Sequence, residues 1–320
     1  MISIGTRAGR ASFHRRADFA GRRLGLRAAI ATAVAVLLAR VGPALAEGAA
    51  VAEAQPATAP QPAAATALPA GWKAPAEIRV GITPNYPPLA FERDGRVVGV
   101  EPDLAAAVGK VLGSRLVLKP MAWEDLPDAL AAHEIDAIMS GVSVTERRKR
   151  TAAFTQPYLA IGQMVLVRTD DLARLGAPGA LDRTGVRVGV QRLTTGAAYA
   201  REELPKATIV EFGSADSGIE ALRDKRVDAF IHDAPTVWRL TGRFDSEASR
   251  SLSGLYRPLT REELAWAVRK DEASTLGSAL DAALGKLRAD GTLEEVLDRW
   301  ITVRKVAVGA PELVPASPAK

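Results

Sequence analysis

The 320-residue sequence contains no cysteine. Disulfides, thiolate nucleophiles, cysteine-based zinc sites and a lipid-modified N-terminal cysteine are therefore excluded. Histidine is scarce: His14, His133 and His232 are too few for a histidine-rich metal centre, so neither a metal nor another cofactor is expected. No apolar run reaches the roughly 18–20 residues that cross a bilayer. A Gly-x-Ser-x-Gly elbow, a phosphate loop and a metal-binding pair are all missing, and no catalytic residue is assigned. What is present is ordinary for a globular chain: 48% hydrophobic and 25% charged residues, in a length that suits one large or two medium domains.

The net charge of +5 is unevenly placed. Residues 1–46 hold eight arginines and one aspartate, while the rest holds 34 basic and 36 acidic residues. The basic character belongs to the N-terminal segment, which gives no case for a nucleic-acid partner.

That segment reads as an export signal. Arginines from Arg7 to Arg27 form a charged region, Ala28–Leu38 an apolar stretch of the right length, and Pro43-Ala44-Leu45-Ala46 a small-residue cleavage site. Arg22-Arg23 partly resembles a twin-arginine signal, which leaves the export route open. The expected product is soluble and periplasmic, with cleavage near Ala46. Residues 47–76, rich in alanine and proline, read as a linker, and 303–320 as a disordered tail.

Between these lies an alternation of strands and helices. Strands are expected at Ile78–Ile82, Leu116–Leu118, Ile135–Met139, Met164–Arg168, Val186–Val190, Thr208–Phe212, Val227–Ile231 and Ala265–Arg269. Asp94-Gly95 marks a hairpin turn between Leu89–Glu92 and Arg96–Val100. Helices are expected at Pro102–Leu112, Leu126–Ala132, Thr195–Leu204, Ser217–Asp224, Ala273–Ala289 and Thr292–Thr302. Two halves repeat one plan: Arg79-Val80-Gly81 and Arg187-Val188-Gly189 open them, and Asp136-Ala137 and Asp228-Ala229 start a later strand in each. The alternation predicts an α/β protein of two lobes, each a mostly parallel sheet flanked by helices. Lobe 1 takes 77–162 and 265–302, lobe 2 takes 163–264, and two crossover strands form a hinge near Ile161-Gly162 and Ala265. A ligand belongs in the crevice beyond the carboxyl ends of the strands, where Met139-Ser140-Gly141 and His232-Asp233 lie.

Ser140-Gly141-Val142-Ser143-Val144-Thr145 follows an apolar strand, so small hydroxyls and backbone N–H groups face that crevice. Thr145 suits a helix N-cap. Arg148, three residues on, has the reach to grip an anion with its planar fork. The alternative, a solvated basic stretch of Arg147 to Arg150, weighs equally on spacing alone.

Over most of Ile78–Thr302 the sequence resembles the periplasmic amino-acid-binding proteins of ABC transporters, solute-binding family 3. The resemblance rests on Arg79-Val80-Gly81-Ile82, Asn85-Tyr86-Pro87-Pro88-Leu89 and Gly99…Asp103-Leu104. It is densest in Ile135–Ser140 and in Thr145-x-x-Arg148-x5-Phe154-Thr155-x-Pro157-Tyr158. Val188-Gly189-Val190…Thr194-Thr195, Val227-Asp228-Ala229-Phe230…Asp233 and Ala289-Asp290-Gly291-Thr292…Trp300 complete it. It implies the type II periplasmic-binding-protein fold and a receptor that delivers an amino acid or related small carboxylate to an inner-membrane permease, as a monomer. It further implies that Arg148 holds the ligand carboxylate with Ser143 and the backbone of Thr194 and Thr195. Ser140 and Gly141 would face the ligand amine, Asp233 would pair with it, Tyr86 would stack on the side chain, and Trp123 would wall an apolar pocket. His232 reads as a rim or structural residue. Thr83 departs from the acidic residue of cation-selective members, Leu193 replaces a small residue, and Arg192 adds a cation; together they point to a polar or acidic ligand. Periplasmic dehydratases of the cyclohexadienyl type resemble the same fold, and for such an enzyme only Asp233 and His232 offer an acid.

Overall fold

A computed structural model describes residues 67–241 and 251–301, all within one unit, Ala59–Lys320. The expected export signal, most of the linker and the tail lie outside the described residues. In chain order the strands are β1 (Glu77–Ile82), β2 (Asn85–Tyr86), β3 (Ala90–Arg93), β4 (Arg96–Val98), β5 (Arg115–Pro120), β6 (Ala137–Ile138), β7 (Ala152–Phe154), β8 (Leu159–Ile161), β9 (Gln163–Arg168), β10 (Arg187–Gln191), β11 (Thr208–Phe212), β12 (Ala229–Asp233), β13 (Leu252–Leu255), β14 (Glu262–Leu264) and β15 (Ala267–Arg269). The α-helices are α1 (Val100–Leu112), α2 (Leu126–Ala131), α3 (Glu146–Lys149), α4 (Leu172–Leu175), α5 (Thr195–Glu203), α6 (Ala215–Arg223), α7 (Ala234–Thr241), α8 (Ser278–Ala289) and α9 (Thr292–Trp300).

Two five-stranded sheets organise these elements, in the orders β5-β1-β6-β15-β7 and β11-β10-β12-β9-β13. In the first, β1 pairs in parallel with β5 and β6, and β15 enters antiparallel between β6 and β7. In the second, β10 pairs in parallel with β11 and β12, and β9 enters antiparallel between β12 and β13. Each sheet thus has one strand of opposite sense, and that strand is the one arriving from the other lobe. The two crossings run side by side: β8 pairs antiparallel with β14, Glu262 opposite Ile161 and Leu264 opposite Leu159. Gly162 sits at this crossing, where a Cβ would run into the carbonyl oxygen of Thr260, so the close approach of the two backbones demands glycine.

Burial follows the strand pattern. In β9 (QMVLVR) five consecutive residues are buried, as a strand covered on both faces requires. One lobe 1 core joins Ile78, Val80, Leu104, Val108, Leu280, Leu284 and Val296 between the sheet and α1, α8 and α9. A smaller one joins Leu126, Leu130, Ile135, Ile138 and Ala267 under α2 on the opposite face. Lobe 2 is covered on both faces, by α6 and α7 and by α4 and α5. Trp72 packs against the lobe 1 core, so the end of the expected linker is already seated on the folded unit.

Local chemistry explains the boundaries. Asp94 (φ 51°) and Gly95 (φ 70°) both take left-handed conformations, the signature of a type I′ hairpin turn between β3 and β4. Gly113 (φ 69°) ends α1. The strand expected over Ala265–Arg269 starts two residues later, as β15, because at Ala265 and Trp266 the backbone N–H groups donate instead to Val142 O (3.0 Å) and Thr155 Oγ1 (3.0 Å); β14 is a separate strand just before it. The helix expected from Ala273 opens with a wide π turn, Ala273–Gly277, before α8. Strands β7, β8 and β13 and helix α7, too short or too irregular in pattern to read, complete the lobes.

Candidate functional site

The strand ends of both lobes meet at one cleft. Lobe 1 contributes Thr83 after β1, Asn85 and Tyr86 on β2, Trp123, Gly141, Ser143 and Arg148. Lobe 2 contributes Gln163 at the start of β9, Gln191 at the end of β10, Thr194 and Thr195 at the start of α5, and His232 and Asp233 at the end of β12. The free space in the cleft is about 30 Å³, room for a water or two, so an organic solute fits only if the lobes part or side chains re-seat.

Each wall is built by local structure. Gly141 (φ 64°) lies under Tyr86, whose Cε1 would sit 2.6 Å from any added Cβ. The Tyr86 ring meets His232 edge-on at 5.3 Å, and its hydroxyl donates to Asp233 Oδ2 across the cleft. Gln163 Nε2 donates to the other Asp233 oxygen and, at 3.1 Å, to Thr195 Oγ1. On the opposite side Thr145 caps α3 by accepting from Arg148 N at 3.2 Å. The Arg148 guanidinium then donates to Ser143 O (2.9 Å) and Leu193 O (3.1 Å) and lies 5.2 Å from the Trp123 ring centre. Thr194 caps α5 by accepting from Ala197 N at 3.1 Å, which leaves the first N–H groups of that helix facing the cleft.

Electrostatics separates a cationic end from an anionic one. Burial lowers the Arg148 pKa, opposed by the charges of Asp233 and Glu262, and the group remains a cation. Burial raises the Asp233 carboxyl; the Glu262 charge adds to this, while His232 and the bonds from Tyr86 and Gln163 pull it back. The Tyr86 hydroxyl is pushed well up by burial and then by Asp233. Burial lowers His232, so its ring is neutral at pH 7. Two buried polar atoms of the cleft, Thr83 Oγ1 and His232 Nδ1, have no hydrogen-bond partner among the described residues. Such atoms are costly to bury unless something bonds to them.

Of the residues singled out from the sequence, Tyr86, Trp123, Gly141, Ser143, Arg148, Thr194, Thr195 and Asp233 line the cleft together. Ser140 does not: it is buried behind the wall, and its hydroxyl accepts from Thr83 N at 2.9 Å. His232 lines the cleft rather than its rim. Arg192 adds no free cation, since its guanidinium pairs with Glu124 at 3.0 Å. Leu193 does not narrow the cleft; at φ 60° its side chain turns outward, 48% exposed, onto a neighbouring apolar groove. Gln163 and Gln191 were not foreseen. Gln191 was within reach of the repeat, since it stands four residues after Arg187 as Thr83 stands four after Arg79. Behind Gly141, the buried Glu101 accepts from Gly141 N (2.7 Å), Tyr158 Oη (2.6 Å) and Trp266 Nε1 (2.9 Å).

Known proteins resemble this chain in sequence and in fold. Residues 78–303 match the family described as bacterial extracellular solute-binding proteins, family 3. The ABC transporter arginine-binding protein 1 of Escherichia coli (strain K12) is 27% identical over 233 residues, 72% of this chain and 93% of that one. The cyclohexadienyl dehydratase of Pseudomonas aeruginosa is 27% identical over 230 residues, 71% of this chain and 83% of that one. Among solved structures, the ancestral amino acid-binding protein AncCDT-1, a precursor of cyclohexadienyl dehydratase, superimposes with a TM-score of 0.64 at 29% identity, over 71% of this chain and 95% of that one.

Proposed function

The chain belongs to the bacterial extracellular solute-binding proteins, family 3, and from that premise we propose that it captures an amino acid or a related small carboxylate between its lobes. Its architecture is the type II periplasmic-binding-protein fold. The observation that carries the reading is the opposition of Arg148, on lobe 1, to Asp233, on lobe 2, in one cleft. A zwitterion needs one cation, one anion and neutral dipoles between them. Arg148 and the N–H groups of α5 suit the carboxylate, Asp233 suits the ammonium, and Tyr86 covers the rest. Because the two half-sites lie on different lobes, ligand and closure stabilise each other, with the paired β8 and β14 as the hinge.

The setting we propose is the periplasm, with a monomeric receptor handing its ligand to an inner-membrane ABC permease. Among the described residues, no helix is long and apolar enough to cross a membrane. Thermal-shift screening of the twenty amino acids and of small organic acids at pH 7 tests the reading. At least one should raise the unfolding midpoint by several degrees, and a silent panel would refute it.

A second reading, a dehydratase of the cyclohexadienyl type, is favoured by the similarity to the Pseudomonas enzyme and by the raised pKa of the buried Asp233, which would let that carboxyl carry a proton. Release of product from prephenate or arogenate would establish it, and the absence of turnover leaves the receptor.

A further inference from the structure

The hinge carries a carboxylate that the receptor reading does not use. Glu262 opens β14. Its Oε2 accepts from Ser143 Oγ at 2.6 Å and from Thr195 Oγ1 at 2.8 Å, and its Oε1 accepts from Thr260 Oγ1 at 2.7 Å. Ser143 and Thr195 line the cleft from lobe 1 and lobe 2. A hydroxyl has one proton and two lone pairs. With the proton given to Glu262, both side chains turn lone pairs elsewhere, and Thr195 spends one on Gln163 Nε2 at 3.1 Å. Toward a ligand they are then acceptors, suited to N–H donors rather than to a carboxylate.

The charge balance points the same way. The cleft holds Arg148 as its cation and Asp233 as its anion, His232 is neutral, and Arg192 is matched by Glu124. Glu101 behind Gly141 adds no positive charge. The carboxylate and ammonium of a bound amino acid answer Arg148 and Asp233, which leaves Glu262 unanswered.

We propose that Glu262 is a specificity-determining residue: acting through Ser143 and Thr195, it makes the cleft prefer amino acids with a cationic side chain over neutral ones, and neutral over acidic. This rests on the amino-acid reading above and deepens it. The acidic group that Thr83 does not supply comes instead from the hinge. Inside a closed cleft a charge is screened far less than on the surface, so one unmatched carboxylate is enough to order ligands.

Calorimetry with L-arginine, L-glutamine and L-glutamate at pH 7 and constant ionic strength, on the wild type, Glu262→Gln and Glu262→Asp, tests it. The wild type should bind arginine tightest and glutamate weakest. Glu262→Gln should weaken arginine about tenfold while glutamine changes less than about threefold. Glu262→Asp, which keeps the charge, should keep the order. Glutamine or glutamate binding the wild type as tightly as arginine overturns the assignment. So does an equal loss for all ligands in Glu262→Gln, the result a purely structural role gives. Failure of all three to bind the wild type overturns it too, and the wider amino-acid reading falls only if the full thermal-shift panel is also silent.

Discussion

The two lobes are one design with two ends. At the amino ends of the parallel strands they match closely. Arg79 donates to Asp136 from its N, Nε and Nη2 at 2.8, 3.0 and 2.7 Å, and Arg187 donates to Asp228 from the same atoms at 2.9, 3.1 and 3.1 Å. The crossover strands add a second arginine in equivalent places. Arg269 and Arg168 reach these carboxylates at 3.7 and 3.6 Å and donate to Ile135 O (2.8 Å) and Val227 O (2.6 Å). At the carboxyl ends the lobes part company. Thr83, Ser140 and Gly141 in one stand where Gln191, His232 and Asp233 stand in the other. Lobe 1 also inserts β2–β4 between β1 and α1, which carries Tyr86 into the cleft, while in lobe 2 the chain passes from β10 straight into α5. The end away from the cleft serves the sheet and keeps its residues, and the end that meets a ligand is free to differ.

The largest effect should come from a tip residue. Arg148→Ala removes two charge-assisted hydrogen bonds to a carboxylate, each worth about 1.5–3 kcal/mol, so affinity should fall by roughly two to four powers of ten. Arg148→Lys should rescue poorly, because an ammonium lacks the planar fork. The unliganded unfolding midpoint should move by only a few degrees, since the bonds to Ser143 O and Leu193 O are edge contacts of a side chain that is not fully buried. Calorimetry showing wild-type affinity in the alanine variant would sink the assignment of the cationic end.

The base should behave in the opposite way, with stability lost and binding spared. Asp228 faces Arg187, Arg174 and Arg168 and its side chain is 11% exposed; Asp136 faces Arg79 and Arg269 at 19%. Asp228→Ala should cost somewhat more than Asp136→Ala, about 2–4 against about 1–3 kcal/mol, because Asp228 is the more buried of the two, although Arg168 and Arg174 keep Asp171 as a partner when Asp228 is removed. In both aspartates burial acts to raise the pKa, but the bonds and charge of the paired arginine outweigh it and hold the carboxyl low. A carboxylate depressed in the folded state stabilises above its unfolded pKa, near 3.9, and that contribution drains away as pH falls below it. Urea unfolding should thus show the difference between wild type and variant shrinking from pH 7 to pH 3. A difference that stays constant would mean that the pairs are not the cause.

The repeat was the most legible feature of the sequence because it is written in residues whose partners are fixed by the sheet. Arg-x-Gly and Asp-Ala recur at matched places, and their pairing follows once the strands lie side by side. The strand ends could be read as a site because apolar strands ran into small or charged residues at Ser140 and Asp233. Glu262 could not be read, since it lies 119 residues from Ser143 and 67 from Thr195, and only the crossing of β8 and β14 brings the three together. Arg192 was misjudged for the same reason. Its neutralising partner, Glu124, is 68 residues away on the other lobe. Ser140 was placed in the wall by its position in the chain, but it is buried behind the wall, where its hydroxyl accepts from Thr83 N inside lobe 1.

The smallest effects should come from the matched glycines between base and tip, Gly81 on β1 and Gly189 on β10. Alanine at either site lowers the entropy of the unfolded chain, which alone would stabilise by about 0.4–1 kcal/mol. The space decides the sign. At Gly81 the new Cβ would overlap Ile135 Cδ1 and lie 2.8 Å from Leu126 Cδ2. Leu126 and Ile135 are both fully buried, though Leu126 also borders the groove beside α2, so one of them must change rotamer or the strand must shift. At Gly189 the neighbours are Phe212 Cε2 and Phe230 Cδ2, each 3.1 Å away, and Val227 Cγ2 at 3.3 Å. These need a shift of only a few tenths of an ångström, and Phe212, only partly buried, can supply it. Gly81→Ala should therefore cost about 1–3 kcal/mol, the usual range for overpacking, and Gly189→Ala less than about 1. Urea midpoints at pH 7 measure both. Equal costs would show that rigid rings resist a small overlap as strongly as a buried isoleucine resists a large one, and the two lobes would then be packed to the same tolerance at this level as well.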